Sequence, residues 1–234
     1  MQPIAIFQHA GTEGPGYFAT YLDRHSLPWR LIRPDLDALP GSAREFNGLV
    51  FMGGPMSVND ALPWIPRLLD LIRDAAAADV PVLGHCLGGQ LLSKALGGTV
   101  SRNPVREIGW SDVEVADNAV ARQWFGQDLR RFSAFQWHAE TFTIPAAATP
   151  VLSGRHCANQ GFALGKHLGL QCHLEMDRVL VDSWCATGAR EIAESDGPAV
   201  QAVMEIQRDL AARLDGLHAV ADRVYGRWTA GLQR

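Results

Sequence analysis

Residues 82–90, Val-Leu-Gly-His-Cys-Leu-Gly-Gly-Gln, set one cysteine between a short apolar strand and a small-residue turn that opens a helix. This arrangement holds the Cys86 thiol at the end of a strand with a helix N-terminus aimed at it. The glycines at 84, 88 and 89 permit a sharp turn and a backbone approach that a Cβ would obstruct. A helix dipole and its free N–H groups favour thiolate over thiol, and only the thiolate attacks. A core cysteine has no need of so many small neighbours, so Cys86 reads as a nucleophile.

A nucleophilic thiol needs a base and a group that orients it. Leu170-Gln-Cys-His-Leu-Glu175 offers both. On an extended backbone, residues two apart lie on one face, so Glu175 can accept from one ring nitrogen of His173 while the other faces the thiol. Leu170, Cys172 and Leu174 make the opposite face apolar, which suits a strand buried on that side. The expected triad is Cys86, His173 and Glu175. Gly53-Gly54-Pro55-Met56 follows another strand-like run. Its Gly54 N–H and the N–H of Leu87, the residue after the nucleophile, together suit the oxyanion of a tetrahedral intermediate.

The remaining chain has the rhythm of a layered α/β protein. Strands are expected near 3–8, 29–32, 46–52 and 80–83, with helices near 16–26, 64–78 and 90–96. In the second helix the apolar positions 65, 68, 69, 72, 75 and 76 fall on one stripe. Strand–helix alternation of this kind implies a mostly parallel central sheet with helices on both faces, a flavodoxin-like three-layer architecture. Ligands in such sheets collect at the carboxyl ends of the strands, where the three turns singled out above can converge. From 99 to 175 short β-like pieces (113–115, 132–137, 161–164, 169–172) alternate with loops and one helical stretch at 119–125. After Glu175 the chain reads as helix, with 203, 210, 214, 217, 221, 224 and 228 on one apolar stripe that caps the sheet. One domain over 1–234 is expected, with a catalytic core at 3–185 and a helical extension at 186–234.

Gly-x-Cys-x-Gly-x-Gln, an earlier Gly-Gly-Pro and a later Gln-x-His-x-Glu, in that order, resemble the class I (triad-type) glutamine amidotransferases. The likeness is to their stand-alone members, similar to the glutaminase domain of GMP synthase, and runs from about residue 3 to 185. The family's usual Gln-Phe-His-Pro-Glu stands here as Gln171-Cys172-His173-Leu174-Glu175, without the proline. The resemblance implies hydrolysis of the glutamine side-chain amide through a Cys86 thioester. It implies substrate contacts at Gln90, at the Met56 backbone and at Gly161, and a separate synthetase subunit as a possible recipient of ammonia. A γ-glutamyl peptide or γ-glutamyl amine hydrolase is the alternative, because the same chemistry serves any γ-glutamyl amide if the pocket opens at the leaving-group end. Gln136-Trp137-His138-Ala139-Glu140 resembles a loop near the pocket in these relatives.

Other classes are disfavoured. Twenty-one basic and 25 acidic residues are well mixed, giving a net charge of −4, so no basic patch marks a nucleic-acid or membrane partner. Neither a signal-peptide pattern nor a membrane-spanning run appears. Four cysteines without CxxC spacing fit a reducing cytoplasm. Gly11-Thr-Glu-Gly-Pro-Gly16 lacks the spacing of a dinucleotide loop and reads as a connection. No metal or cofactor is implied.

Overall fold

The computed structural model describes residues 2–232. Its first half follows the expected alternation: β1 (Ile4–Phe7), α1 (Gly16–Arg24), β2 (Trp29–Ile32), β3 (Gly48–Phe51), α2 (Trp64–Ala77), β4 (Val82–His85) and α3 (Leu87–Ala95). The third helix begins at Leu87 rather than at Gln90, because Gly88 and Gly89 are themselves helical and seat the helix against the sheet.

The second half holds β5 (Val100–Val115), α4 (Ala119–Phe125), β6 (Arg131–Phe142), β7 (Thr149–Gly154), β8 (Gly161–Leu164) and β9 (His167–Leu170). All nine strands form one sheet in the order β2-β1-β3-β4-β9-β8-β7-β5-β6. The β2-β1-β3-β4-β9 half is parallel and has the flavodoxin-like order, with β9 in fifth place. From β9 outward the pairing is antiparallel.

Here the structure is more regular than the sequence suggested. β5 and β6 form a long hairpin whose register shifts between Arg102 and Glu107, where Pro104 interrupts the ladder. The proline and its charged neighbours hide the alternation of a half-buried strand. Proline likewise masks β7, at Pro150. β9 ends at Leu170, so the segment carrying the predicted base lies beyond the strand, tied to β6 by a bridge between Phe135 and His173.

Of the parallel strands, β1, β3, β4 and β9 are buried on both faces, and the edge strand β2 is largely exposed. Ile4 and Ile6 pack with Phe18 of α1 on one side, while Ala5 and Phe7 pack with Leu68 of α2 and Leu91 of α3 on the other. The C-terminal region comprises α5 (Arg178–Thr187), α6 (Ala189–Glu194), α7 (Val203–Ile206) and α8 (Leu210–Thr229). The predicted stripe of α8, Leu210, Leu214, Leu217, Ala221, Val224 and Trp228, is buried throughout. Phe18 meets Tyr225 and Trp228 edge-on, at 4.8 and 5.9 Å between ring centroids. Gly48 of β3 is open to this helix because a Cβ there would lie 2.7 Å from the Trp228 ring. No helix among the described residues is long and apolar enough to cross a membrane.

Trp228 thus fills the space above β3, and Trp228→Ala should cost about 3–5 kcal/mol of stability. Urea denaturation followed by circular dichroism measures this, and an unchanged midpoint would contradict the packing of α8.

Candidate active site

Cys86 sits between β4 and α3 with φ 49° and ψ −108°, a strained conformation for a residue with a Cβ. Its neighbours impose it. A Cβ on Gly88 would lie 2.0 Å from the Phe51 carbonyl, and one on Gly89 would lie 2.3 Å from the Leu170 carbonyl. The helix can therefore sit between β3 and β9 only as glycine, and the Cys86 N–H donates to Leu170 O at 2.9 Å. These contacts push the thiol out over the carboxyl ends of the strands.

The segment after β9 brings the base. His173 donates its backbone N–H to Phe135 O at 2.9 Å, and its ring stands edge-on to Trp184. Nδ1 lies 2.5 Å from Glu175 Oε1. Nε2 has no nitrogen or oxygen partner and couples to the Cys86 side chain. Burial opposes protonation of His173, but the Glu175 carboxylate and Cys86 outweigh it and raise its pKa well above the ordinary value. Burial also works against ionised Glu175, yet His173 and His85 hold its pKa down at about 2. His85 Nε2 stands 3.7 Å from Glu175 Oε2 and 3.3 Å from the Tyr225 hydroxyl. His85 went unnoticed in the sequence because its neighbour Cys86 drew the motif, although it is the strand residue that alternation turns to the opposite face.

Gly54 and Leu87 are adjacent, since a Cβ on Gly54 would lie 2.6 Å from Leu87 Cδ2. Their backbone N–H groups donate to no partner among the described residues. Gln90 is buried, and its Nε2 donates to Gln171 Oε1 at 3.3 Å; Gln171 Nε2 in turn lies 3.5 Å from Cys86 Sγ. Gln171 therefore joins the site, a link signalled in sequence only by its place in the Gln-x-His-x-Glu motif.

Cys86, Gly54, Met56 and Gln90 line one cleft of about 440 Å³. Gly161 does not. It lies inside the sheet on β8, opposite Leu170 and Leu152, and a Cβ there would meet only those side chains. The antiparallel pairing of β8 turns this residue into the core, where it does not line the cleft.

The cleft contains a residue that the sequence reading left in a connection. Glu13 stands on its wall, and burial raises its pKa to about 7, partly offset by His173 and reinforced by Glu175. The cleft also carries Arg106, 2.6 Å from Glu191, with Trp137 Nε1 donating to the other oxygen of that carboxylate at 2.9 Å. His138 also lines the cleft. Its Nδ1 bonds Glu140 O at 3.0 Å, and Nε2 lies 3.2 Å from Glu107. With Cys157 this pair forms a buried group whose donor atoms lie within 4.8 Å of one another, a set able to hold a metal ion. Glu107 already accepts from Gln160 and Ser111, and burial pushes the Cys157 thiol up to about 11, while His138 Nε2 has no hydrogen-bond partner among the described residues.

Comparison with known proteins agrees with this geometry. The family model for glutamine amidotransferase class-I matches residues 25–180. A crystal structure of a glutamine amido transferase from Methylobacillus flagellatus superposes with a TM-score of 0.98 at 46% identity, covering 100% of this chain and 96% of that one. The glutamine amidotransferase-like protein YfeJ of Salmonella typhimurium is 27% identical over 81% of this chain and 82% of its own length. The glutamine-hydrolysing GMP synthase of Aeropyrum pernix is 35% identical over 64% of this chain, which spans only 29% of that longer protein.

Glu13 provides a test of the cleft's electrostatics. Its folded pKa of about 7 exceeds its ordinary 4.5, so the native state binds the extra proton between these values. Its stabilising contribution is complete below about pH 4.5 and falls away as the pH rises through 7. Relative to Glu13→Gln, the wild type should lose on the order of 2 kcal/mol between pH 5 and pH 8. Parallel urea titrations at the two pH values measure that difference.

Proposed function

The chain belongs to the class I glutamine amidotransferases, and from that premise we propose that it hydrolyses the side-chain amide of glutamine to glutamate and ammonia through a thioester on Cys86. The observation that carries this reading is the line from Glu175 through His173 to Cys86, with Nδ1 2.5 Å from the carboxylate and Nε2 left for the thiol. In the first half-reaction the Cys86 sulfur attacks the amide carbon. The N–H groups of Gly54 and Leu87 receive the developing oxyanion. Protonated His173 then gives its Nε2 proton to the departing nitrogen, and the carbon–nitrogen bond breaks to leave a γ-glutamyl thioester and ammonia. In the second half, neutral His173 takes a proton from water, the hydroxide attacks the thioester, and glutamate leaves as the sulfur is released. Glu175 fixes the tautomer of His173 throughout and offsets its positive charge in a buried place. Gln90 and the Met56 backbone, on the wall beside the thiol, are suited to hold the glutamyl half.

Two settings are compatible with this chemistry. The curated relatives with longer chains include GMP synthases, which supports a separate synthetase as recipient. A cytoplasmic enzyme acting alone on γ-glutamyl peptides or γ-glutamyl amines is the second reading. The cleft of about 440 Å³ is of ordinary size for a small-molecule site, roughly 300–1,000 Å³, and accommodates either substrate.

Cys86→Ala should abolish glutamate release from glutamine and from every γ-glutamyl amide, as read by a coupled glutamate assay; undiminished activity would overturn the proposal. Glu175→Gln keeps the shape but presents the wrong hydrogen-bond pattern to His173, and should lower kcat by about 10⁴ with little change in KM.

A further inference from the structure

We propose that Glu13 selects the leaving group: resting on the hydrolase reading above, its carboxylate and the neighbouring indoles of Trp137 and Trp184 receive the amine half of a γ-glutamyl amide, and they favour an amine bearing a second, cationic nitrogen. The two halves of such a substrate have separate walls in the cleft. The glutamyl half belongs with Gly54, Met56 and Gln90, beside the thiol. The leaving nitrogen must come to Nε2 of His173, the only protonated group in line with Cys86. Glu13 stands on that side. A Cβ built on Gly53 would lie 2.3 Å from Glu13 Oε2 and 3.0 Å from His173 Cε1, so the carboxylate and the imidazole edge flank the same spot.

The loop that carries Glu13 is held in place. Trp184 Nε1 donates to Thr12 O at 2.8 Å, and Gln8 Nε2 donates to Ala10 O at 2.9 Å. At the end of the loop, Tyr17 N donates to Glu175 O at 2.8 Å. Gly16, at φ +45°, lies so close that a Cβ would be 2.2 Å from that same carbonyl oxygen. The loop is thus fastened to the segment that carries the base. Yet among the described residues no hydrogen bond reaches the Glu13 carboxyl itself. The residue is half-buried, and a carboxyl drawn partly out of water without a partner is less favourable than one to which a ligand supplies a hydrogen bond.

The chemistry of the surroundings specifies that ligand. Trp137 and Trp184, which both line the cleft, meet edge-on at 5.9 Å between centroids, and aromatic rings attract cations. Arg106 pairs with Glu191, whereas Glu13 has no lysine or arginine partner among the described residues. His173 and Glu175, from the segment after β9, act directly on Glu13, and the other charged or titratable groups lining the cleft are Cys86 before α3, Arg106 of β5, His138 and Glu140 of β6, and Glu191 of α6. With a folded pKa of about 7, Glu13 gains its charge as the pH rises through neutrality. Discrimination in favour of a cationic amine should therefore strengthen between pH 6 and pH 8.

The test compares kcat/KM of the full chain for two isosteric substrates, γ-glutamyl pentylamide and γ-glutamyl aminobutylamide, which differ by a methyl against an ammonium group. The wild type should prefer the cationic amide by about tenfold at pH 8, and less at pH 6. Glu13→Gln should bring the preference to near unity at both pH values, with partial recovery in Glu13→Asp. Taking the ratio of two substrates cancels the ionisation of Cys86 and His173, which acts on both. Covalent labelling of Cys86 by a diazoketone analogue of glutamine separates the two levels of the reading. Labelling and amide turnover without a charge preference, or with a preference unchanged in Glu13→Gln, would overturn the role of Glu13 and leave the hydrolase standing. Labelling with ammonia release from glutamine alone would also overturn it, because the leaving-group wall would then bind nothing. Neither labelling nor turnover of any amide would overturn the hydrolase reading itself.

Discussion

A buried negative charge organises this molecule. Glu175 is 1% exposed, and an ionised carboxylate in such a place is tolerable only with charges and hydrogen bonds around it. His173 supplies the close partner and His85 the second, one from the segment after β9 and one from β4. The backbone carbonyl of the same residue receives the Tyr17 N–H at the start of α1, and the next carbonyl, of Met176, bonds His218 of α8. One short segment thereby ties two strands and two helices together. The electrostatic need of the carboxylate and the orientation of the imidazole are met by the same contacts.

The nucleophile is fixed by a different force, steric exclusion. The turn before α3 can approach β3 and β9 only because Gly88 and Gly89 lack side chains. Cys86 is held at positive φ where free peptide geometry would not leave it. The packing of the sheet against α2 and α3 on one face and α1 and α8 on the other supplies the stability that such local strain requires. The chemistry then occurs where the strain is, at the carboxyl edge of the parallel half, while the antiparallel half contributes the wall that holds Trp137 and His138.

The two kinds of constraint have different reach. Sterics act over one or two atoms and leave a local mark, a glycine or a small residue at a set spacing. Charge compensation acts across elements far apart in sequence, as with Arg106 and Glu191, 2.6 Å apart on β5 and α6. It leaves no spacing to read. Long β pairing lies between these cases: the β5–β6 hairpin is regular in space, but the Pro104 region breaks the alternation by which a sequence announces a strand.

Cys86, His173, Glu175 and the Gly54–Leu87 pair were legible in the chain because each belongs to a tight turn or an i, i+2 pair, whose geometry the backbone alone dictates. The strand–helix order of the first half was legible for a related reason, since apolar periodicity within one element records which face is buried. Folding decided the rest. Glu13 became part of the cleft only when its loop was fastened to Glu175, Gln171 when the end of β9 met the turn before α3, and His85 when β4 turned it toward the buried carboxylate. Gly161 took its place within the sheet only when β8 paired with β7 and β9. Local covalent geometry is written in neighbouring residues, whereas proximity between distant ones exists only after the core has brought them together.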